Sequence, residues 1–379
     1  MRILIDIRSL NPAVNSGIGE YVQALTLNLL ELDRKNDYLL FYNSGRKKPL
    51  PKTLSGHEDK IINWRIPNRA LNLSMGLFSQ PDLGRQTSAD VIFSPHFNFI
   101  VADKTPRVIT FHDISFVRHP DFFSFRQKIW HRFQRWENQA RAASHIIAVS
   151  EYTRQDLIEH LGLPPEKISV VHSGVNPDLR PATDLTREKN KSPDLNNPYI
   201  LYLGTLEPRK NIPAIIRAFN LLKKQPAYKK YRLILAGKKG WLYKNIIAEA
   251  KLSPHLKDII FWGEVAEVDK KILYTGARVF VYPSFFEGFG FPPLEAQICG
   301  TPVVVSDRTS LPEILKRSAS YVNPWDPVAL ASAIDELNTN QNLRSRQIAG
   351  GLKNSALFRW QITAKKTLEI IEQYAPHHR

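Results

Sequence analysis

Residues Pro283–Asp307 read PSFFEGFGFPPLEAQICGTPVVVSD. The apolar run Val279–Tyr282 before them stops at Pro283-Ser284, which marks the end of a strand. Gly288 and Gly290 give a turn whose backbone can approach a ligand closely. Pro292 and Pro293 suit the first turn of a helix, where a missing N–H costs little. Val303–Ser306 is apolar again and reads as the next strand. Strand, glycine turn, helix and strand make the repeating unit of a parallel α/β sheet. The free N–H groups and positive dipole end of such a helix form an anion site. It lies at the carboxyl ends of the strands, where open α/β sheets bind ligands. Glu287 and Glu295 flank it. Each carboxylate also has a plain reading. Dipole and capping alone favour Glu295 near a helix start, and Glu287 fits a solvated turn.

Upstream, Tyr199–Asn211 (YILYLGTLEPRKN) ends a buried strand at Gly204-Thr205 and carries Arg209 and Lys210 on the loop. A guanidinium grips phosphate oxygens in bidentate fashion, and an ammonium adds a mobile point charge. A solvated basic loop is the plain alternative. Strands are expected at Tyr231–Ala236 and Ile259–Phe261, and helices at Ile212–Lys224 and Leu330–Leu337. The stretch Arg180–Pro198 breaks the rhythm with prolines, charges and amides, and reads as a linker. Before it, strands are expected at Ile3–Ile7, Tyr38–Tyr42, Val91–Phe93, Arg107–Phe111, His145–Val149 and Ile168–Val171, and a helix at Tyr21–Leu32. Phe125, Ile129, Phe133, Trp136 and Ala140 step by three or four, which predicts one helix with one apolar face.

The whole reads as an α/β chain of two similar domains, 1–180 and 199–357, joined by a linker at 181–198. A C-terminal helix within 358–379, about Phe358–Tyr374, packs on either domain, with a return to the first as one option.

Two first-half motifs carry candidate chemistry. In Asn11–Tyr21 (NPAVNSGIGEY), Gly17 and Gly19 lie between the first strand and the first helix. No third glycine follows at dinucleotide spacing, so the full fingerprint fails. A loop touching phosphate and an ordinary tight turn both fit. In Val108–Pro120 (VITFHDISFVRHP), His112 and Asp113 sit just past a strand end. A histidine there can bond a sugar hydroxyl or shuttle a proton, or simply form a structural pair with Asp113.

Several classes lose support. The single cysteine, Cys299, excludes an internal disulfide framework and a cysteine-rich zinc site. No Gly-Lys-Ser/Thr phosphate loop, Asp-x-Asp metal clamp, His-Glu-x-x-His or Gly-x-Ser-x-Gly occurs. Met1–Asp6 enters a strand directly, so no secretory signal is expected.

In order and wording, GTLEPRKN, FWGEV, PSFFEGFGFPPLEAQICGTPVV and SLPEI closely resemble the retaining nucleotide-sugar glycosyltransferases of the GT-B fold, the glycosyl transferases group 1 family. SGIGEY, FHDISFVRHP and AVSEYTRQDL resemble a bacterial branch of mannosyltransferases for surface polysaccharides. The resemblance covers about residues 1–375. It implies two Rossmann-like domains with parallel sheets facing across an interdomain cleft, the first for acceptor and the second for nucleotide sugar. Carried over, Glu287 contacts donor-sugar hydroxyls and Glu295 binds the ribose. Arg209 and Lys210 hold the diphosphate, beside Gly204. Backbone amides of Gly288, Phe289, Gly290 and Phe291 meet sugar or phosphate. Gly17 and Gly19 approach the diphosphate, and His112 sits beside the donor sugar. Glu287, His112, Arg209 and Lys210 form the implied catalytic set. No metal and no cofactor are expected, the nucleotide sugar being a substrate. Same-face attack, with the departing phosphate taking the acceptor's proton, is the expected route to retention. Phe285-Phe286 and Gln297-Ile298-Cys299 depart from the family's usual residues, as packing changes.

The resemblance favours GDP-mannose as donor and a lipid-linked or polysaccharide acceptor. UDP-glucose and UDP-N-acetylglucosamine stay open, as do an epimerase or a sucrose-type synthase of the same fold. The formal net charge is +16. Residues 1–180 hold 23 Lys+Arg against 18 Asp+Glu and the rest 29 against 18, so the excess lies mainly in the second half, with a dense run at Lys223–Lys244. Such a field attracts anionic substrate. The aromatics Phe122, Phe123, Phe125, Trp130, Phe133 and Trp136 interleave with Arg126, Lys128, Arg132 and Arg135. A helix of that kind can lie on an anionic bilayer at the inner face of the cytoplasmic membrane, although one aromatic stripe more often means core. Ala70–Phe78 is a second candidate surface. A nucleic-acid partner is not expected, since no recognised motif for one appears.

Overall fold

Runs such as Ile3-Leu4-Ile5 and Tyr199–Leu203 are buried on both faces, which is why they read as continuous rather than alternating apolar stretches. The computed structural model describes residues 1–10, 17–43, 52–182 and 193–375. The chain divides into two units. Unit 1 comprises Met1–Ile114, Phe125–Gly174 and Arg359–Arg379, and unit 2 comprises Ser115–Ser124 and Val175–Phe358.

In unit 1 the strands are β1 (Arg2–Asp6), β2 (Asp37–Phe41), β3 (Ile61–Ile62), β4 (Val91–Ser94), β5 (Arg107–Phe111), β6 (His145–Ala148) and β7 (Ile168–Val170). They pair in the order β3-β2-β1-β4-β5-β6-β7, all parallel. The order reverses between β1 and β4, which makes that gap the switch point of the sheet. The helix Gly17–Leu32 buries Tyr21, Val22, Leu25, Leu29 and Leu30. The last helix, Trp360–Tyr374, packs against it, with the Trp360 ring 5.5 Å from that of Tyr21.

Two expectations for this half are corrected. Gly17 and Gly19 lie in the first helical turn, not in a loop, and residues 11–16 of their motif fall outside the described residues. The helix expected from Phe125 to Ala140 is two helices, Phe125–Phe133 and Trp136–Ala142, broken at Arg135 with φ +46°. Its aromatic stripe is not core either, because Phe125 is 75% and Phe133 is 72% exposed. The inward anchors here are amides. Gln134 Oε1 accepts from the Phe99 N–H at 2.9 Å, and Gln139 Oε1 accepts from the Ile100 N–H at 3.3 Å. Only Trp136 and Ala140 of the stripe are buried.

In unit 2 the strands are β8 (Tyr199–Leu203), β9 (Arg232–Ala236), β10 (Ile259–Gly263), β11 (Val279–Tyr282), β12 (Val303–Ser306) and β13 (Ser320–Val322). Their order is β10-β9-β8-β11-β12-β13, again all parallel, with the switch point between β8 and β11. The helix Ile212–Leu222 buries Ile215, Ile216, Phe219 and Leu222 and packs on Pro327–Thr339. Asp326 caps the latter by accepting from the Val328 and Ala329 N–H groups at 2.9 Å each.

The segment Ser115–Ser124 belongs to unit 2 although it comes from the first half of the chain. Phe122 stacks on Phe285 at 5.6 Å, His119 meets the edge of Phe286 at 5.6 Å, and Phe123 stacks on Trp241 at 5.8 Å. The Trp241 indole N–H donates to the Phe122 carbonyl.

Candidate functional site

The loops leaving β8 and β11 meet at the switch point of the unit 2 sheet. The first carries Glu207, Arg209 and Lys210, and the second carries Glu287. Lys210 Nζ lies 2.6 Å from Glu287 Oε1, and Arg209 Nη1 lies 3.3 Å from Glu287 Oε2. Arg209 also reaches Glu207 Oε1 at 3.0 Å and donates to the Phe286 carbonyl at 2.9 Å. Lys210 donates to the Tyr282 hydroxyl at 2.6 Å. Two cations and two carboxylates thus form one buried network of zero net formal charge.

The network is held from both sides. Asn211 takes a left-handed conformation at φ +55° and donates to the Pro283 and Pro324 carbonyls at 3.2 and 2.6 Å. Asparagine tolerates that backbone better than most residues. The Phe285 N–H donates to the Arg209 carbonyl at 2.9 Å. The Glu287 backbone is fixed by its N–H donating to Thr309 Oγ1 at 3.0 Å and by Ser310 Oγ donating to its carbonyl at 2.9 Å. The stack of Phe122 on Phe285 and the edge-on contact of His119 with Phe286 brace the same loop.

Burial alone pushes the Glu287 carboxyl up, but the Lys210 and Arg209 charges outweigh it and hold its pKa below the ordinary glutamate value. The Lys210 ammonium is pulled down, first by burial and then by Arg209, with Glu287 opposing.

Of the other expected residues, Glu295 sits in the helix Phe291–Ile298 and is buried. Tyr274 donates its hydroxyl to Glu295 Oε2 at 2.8 Å, and Lys270 Nζ stands 3.8 Å from Oε1. Gly288, Phe289 and Gly290 are buried in the loop below Glu287. Gly290 adopts φ +97°, and a Cβ there would stand 2.6 Å from Leu311 Cδ2. Gly204 ends β8 beside Tyr202, whose hydroxyl would lie 2.9 Å from an added Cβ.

The helix start at Phe291 is a weaker anion site than its dipole suggests. Pro292 and Pro293 occupy two of the four N-terminal positions and have no N–H to offer.

Gly17, Gly19 and His112 belong to unit 1. His112 Nε2 lies 2.9 Å from the Pro95 carbonyl, which only accepts, so Nε2 carries the proton and Nδ1 is left as the basic nitrogen. Burial lowers its pKa, with Pro95 and Asp113 opposing. Glu207, Asn211 and Tyr282 escaped the reading of the motif. Glu207 carried a local signal, a carboxylate two residues before Arg209, but the other two are recognised only once β8 and β11 are neighbours.

A doubly wound unit places its charged switch-point site where open α/β sheets bind ligands, nucleotides among them. Residues 184–354 match the family described as Glycosyl transferases group 1, and residues 15–179 match Glycosyltransferase Family 4. The O-antigen chain mannosyltransferase B of Escherichia coli is 31% identical over 274 residues, which are 72% of this chain and 71% of that protein. The O-antigen chain mannosyltransferase RfbU of Salmonella typhimurium is 34% identical over 242 residues, 63% of each. In three dimensions the sucrose-phosphate synthase of Thermosynechococcus elongatus superposes with a TM-score of 0.78, at 19% identity and 98% coverage of both chains.

The fold is therefore GT-B, with two Rossmann-like parallel-sheet units. The chain belongs to the glycosyl transferases group 1 family, with a mannosyltransferase-like sequence, and is a glycosyltransferase.

Proposed function

We propose that the protein transfers mannose from GDP-mannose to a lipid-linked or polysaccharide acceptor in cell-surface glycan synthesis, of the O-antigen kind, with retention and without a metal. The names of the two bacterial relatives support the sugar and the pathway class. The observation that carries the reading is the Glu207–Arg209–Lys210–Glu287 network at the β8/β11 switch point. Its cations are held in place before any ligand arrives, so little side-chain freedom is lost on binding.

In this reading Arg209 and Lys210 meet the diphosphate and Glu287 meets hydroxyls of the donor sugar. Glu295 takes the ribose through the oxygen that Tyr274 does not occupy. The C1–phosphate oxygen bond breaks on the face where the acceptor oxygen bonds C1, and the leaving diphosphate accepts the acceptor's proton. A covalent sugar trapped on Glu287 would sink that route.

The test is a thermal-shift and turnover screen of GDP-mannose, UDP-glucose and UDP-N-acetylglucosamine, with and without EDTA, since a ligand bound only by the native state raises apparent stability. GDP-mannose is expected to give the largest shift and to be turned over in EDTA. Binding of none of the three would end the GDP-mannose reading, and preference for a UDP-sugar would replace mannose.

A second observation favours work at a membrane surface. Among the described residues no helix is long and apolar enough to cross a membrane. Yet Leu73, Leu77 and Phe78 on the helix Asn68–Phe78, and Phe125, Ile129 and Phe133 on the helix Phe125–Phe133, are all exposed. Arg135 draws the two together by donating to the Gly76 carbonyl at 3.2 Å. Arg126, Lys128 and Arg132 interleave with the second set. Apolar side chains rimmed by cations fit an anionic bilayer. Co-sedimentation should show binding to vesicles of anionic phospholipid and none to neutral ones, with Phe133→Glu weakening it. Equal binding to both vesicle types would remove the electrostatic part of this surface.

A further inference from the structure

Tyr282 ends β11, the strand that leads into the Glu287 loop, and is buried. Its backbone pairs with Val305 of β12. Its ring stacks on Tyr202, at 5.9 Å and 13°, and on Phe280, at 5.9 Å and 21°. Strand pairing and two ring contacts fix where its hydroxyl stands, which is 2.6 Å from Lys210 Nζ. Burial, then the Glu287 charge, raises the Tyr282 pKa well above the ordinary tyrosine value, so the group stays a hydroxyl.

An ammonium has three N–H donors and no acceptor. Lys210 gives one to Glu287 Oε1 at 2.6 Å and one to the Tyr282 oxygen at 2.6 Å. The third has no partner among the described residues. Two fixed partners set both the place of the nitrogen and its rotation about the Cε–Nζ bond. The third N–H then has a single direction.

Charge does not account for the Tyr282 contact. Lys210 already feels Glu287 and Glu207, with Arg209 opposing them. A neutral hydroxyl adds no net charge to that set. It adds a second acceptor on a rigid support. Arg209 has less need of one, because its planar fork is held by Glu207, Glu287 and the Phe286 carbonyl. Lys210 is a point charge on a flexible stem, and only outside partners give it a direction.

We infer that Tyr282 is a positioning residue of the donor site, whose hydroxyl turns the Lys210 ammonium from a mobile point charge into a donor aimed at the diphosphate. The aim at a diphosphate rests on the proposed function, whereas the holding of Lys210 does not.

Tyr282→Phe deletes one oxygen and keeps the ring. The charged groups facing Lys210, Glu287, Glu207 and Arg209, all remain. Tyr202→Phe is the matched control. Tyr202 is equally buried and in the same ring stack, but its hydroxyl donates to the Thr205 carbonyl at 3.0 Å and not to Lys210. A purely structural role predicts like results from the two variants.

NMR on the full chain with isotope-labelled lysine, without nucleotide, reads the ammonium directly. Loss of a signal in Lys210→Met identifies Lys210. In the wild type its N–H protons should be held and visible, unlike those of exposed lysines. In Tyr282→Phe they should be lost to exchange. Lys210 should also give up its proton at lower pH there, because the hydroxyl lone pair favours the charged form. Tyr202→Phe should leave both readings unchanged. With whichever nucleotide sugar is turned over, Tyr282→Phe should lower kcat/KM roughly 10-fold and move its alkaline limb to lower pH. Added to Lys210→Met, it should change nothing more.

Invisible Lys210 N–H protons in the wild type, an unchanged titration in Tyr282→Phe, or the same effects from Tyr202→Phe would overturn the inference. Turnover indifferent to Lys210→Met, with Lys210 held as described, would instead defeat the placing of the diphosphate in the proposed function. The aim of Lys210 would fall with it, and the holding by Tyr282 would stand.

Discussion

Replacing Glu287 by glutamine removes one charge from a buried network and changes almost nothing else in shape. Glu287 faces Lys210 at 2.6 Å and Arg209 at 3.3 Å. Arg209 keeps Glu207 at 3.0 Å, so it stays paired. Lys210 becomes the orphan. It keeps the Tyr282 hydroxyl at 2.6 Å and the Tyr282 ring at 5.0 Å, but no carboxylate. Breaking a buried pair by removing one partner costs ~3–5 kcal/mol. The surviving hydroxyl and the amide oxygen of the new glutamine put Glu287→Gln at the lower end, about 3 kcal/mol by denaturant unfolding near neutral pH.

Two further outcomes separate this cause from general damage. The Lys210 pKa is already below the ordinary lysine value, and loss of Glu287 lowers it further. The charged form is what folding disfavours, so the deficit is full below the folded-state pKa and fades as pH rises from there towards ~10.5. The stability gap to wild type should therefore narrow as the pH rises towards ~10.5. Adding Lys210→Met removes the orphaned charge, and Glu287→Gln/Lys210→Met should be more stable than Glu287→Gln alone by roughly 2 kcal/mol. Transfer activity should be lost in both. A single-variant cost under about 1 kcal/mol, a gap that does not change with pH, or a double variant no more stable than the single would refute the reasoning.

Gly290→Ala places a methyl group 2.6 Å from Leu311 Cδ2 at φ +97°, and should cost ~1–3 kcal/mol in denaturant unfolding. Wild-type stability would show that the loop relaxes freely. Trp241→Ala removes the hydrogen bond to the Phe122 carbonyl and the stack on Phe123, which together brace the Glu287 loop through Phe122 and Phe285. It should lower kcat several-fold at near-wild-type stability, and unchanged kinetics would detach this bracing from the site.

The residue pattern announced the central strands and also two edge strands, β7 and β10. β8, β11 and β12 are covered on both faces, so nearly every side chain in them is apolar or aromatic. β3 and β13 lie at sheet edges, have two and three residues, and are only partly buried, so no pattern reaches the length that would separate them from loop. The stripe from Phe125 to Ala140 misled for a different reason. Spacing by three and four shows that one face is apolar and says nothing about what covers it. In this chain Gln134 and Gln139, not the aromatics, satisfy the buried backbone of Phe99 and Ile100. The crossing of Ser115–Ser124 into unit 2 is equally hidden, because His119 and Phe122 find their partners more than 160 residues away.

The charge shows the same division between what is local and what is folded. Arg209 and Lys210 looked like free cations awaiting a diphosphate, and the two motifs between them contained the carboxylates that cancel them, Glu207 and Glu287. The dense run Lys223–Lys244 is also reduced, since Lys223 and Arg232 share Asp258 at 2.8 Å each. Lys224, Lys229, Lys230, Lys239 and Lys244 are the members that stay exposed. The +16 is therefore a property of the surface and not of the network. A surface field acts over about a Debye length, ~8 Å at physiological salt, and speeds the arrival of an anion. A buried neutral network does little for arrival, but it fixes where each cation stands when the diphosphate comes. Salt should then slow donor association far more than it weakens the contacts of donor already bound, because water and ions screen the exposed lysines and are excluded from Lys210 and Glu287.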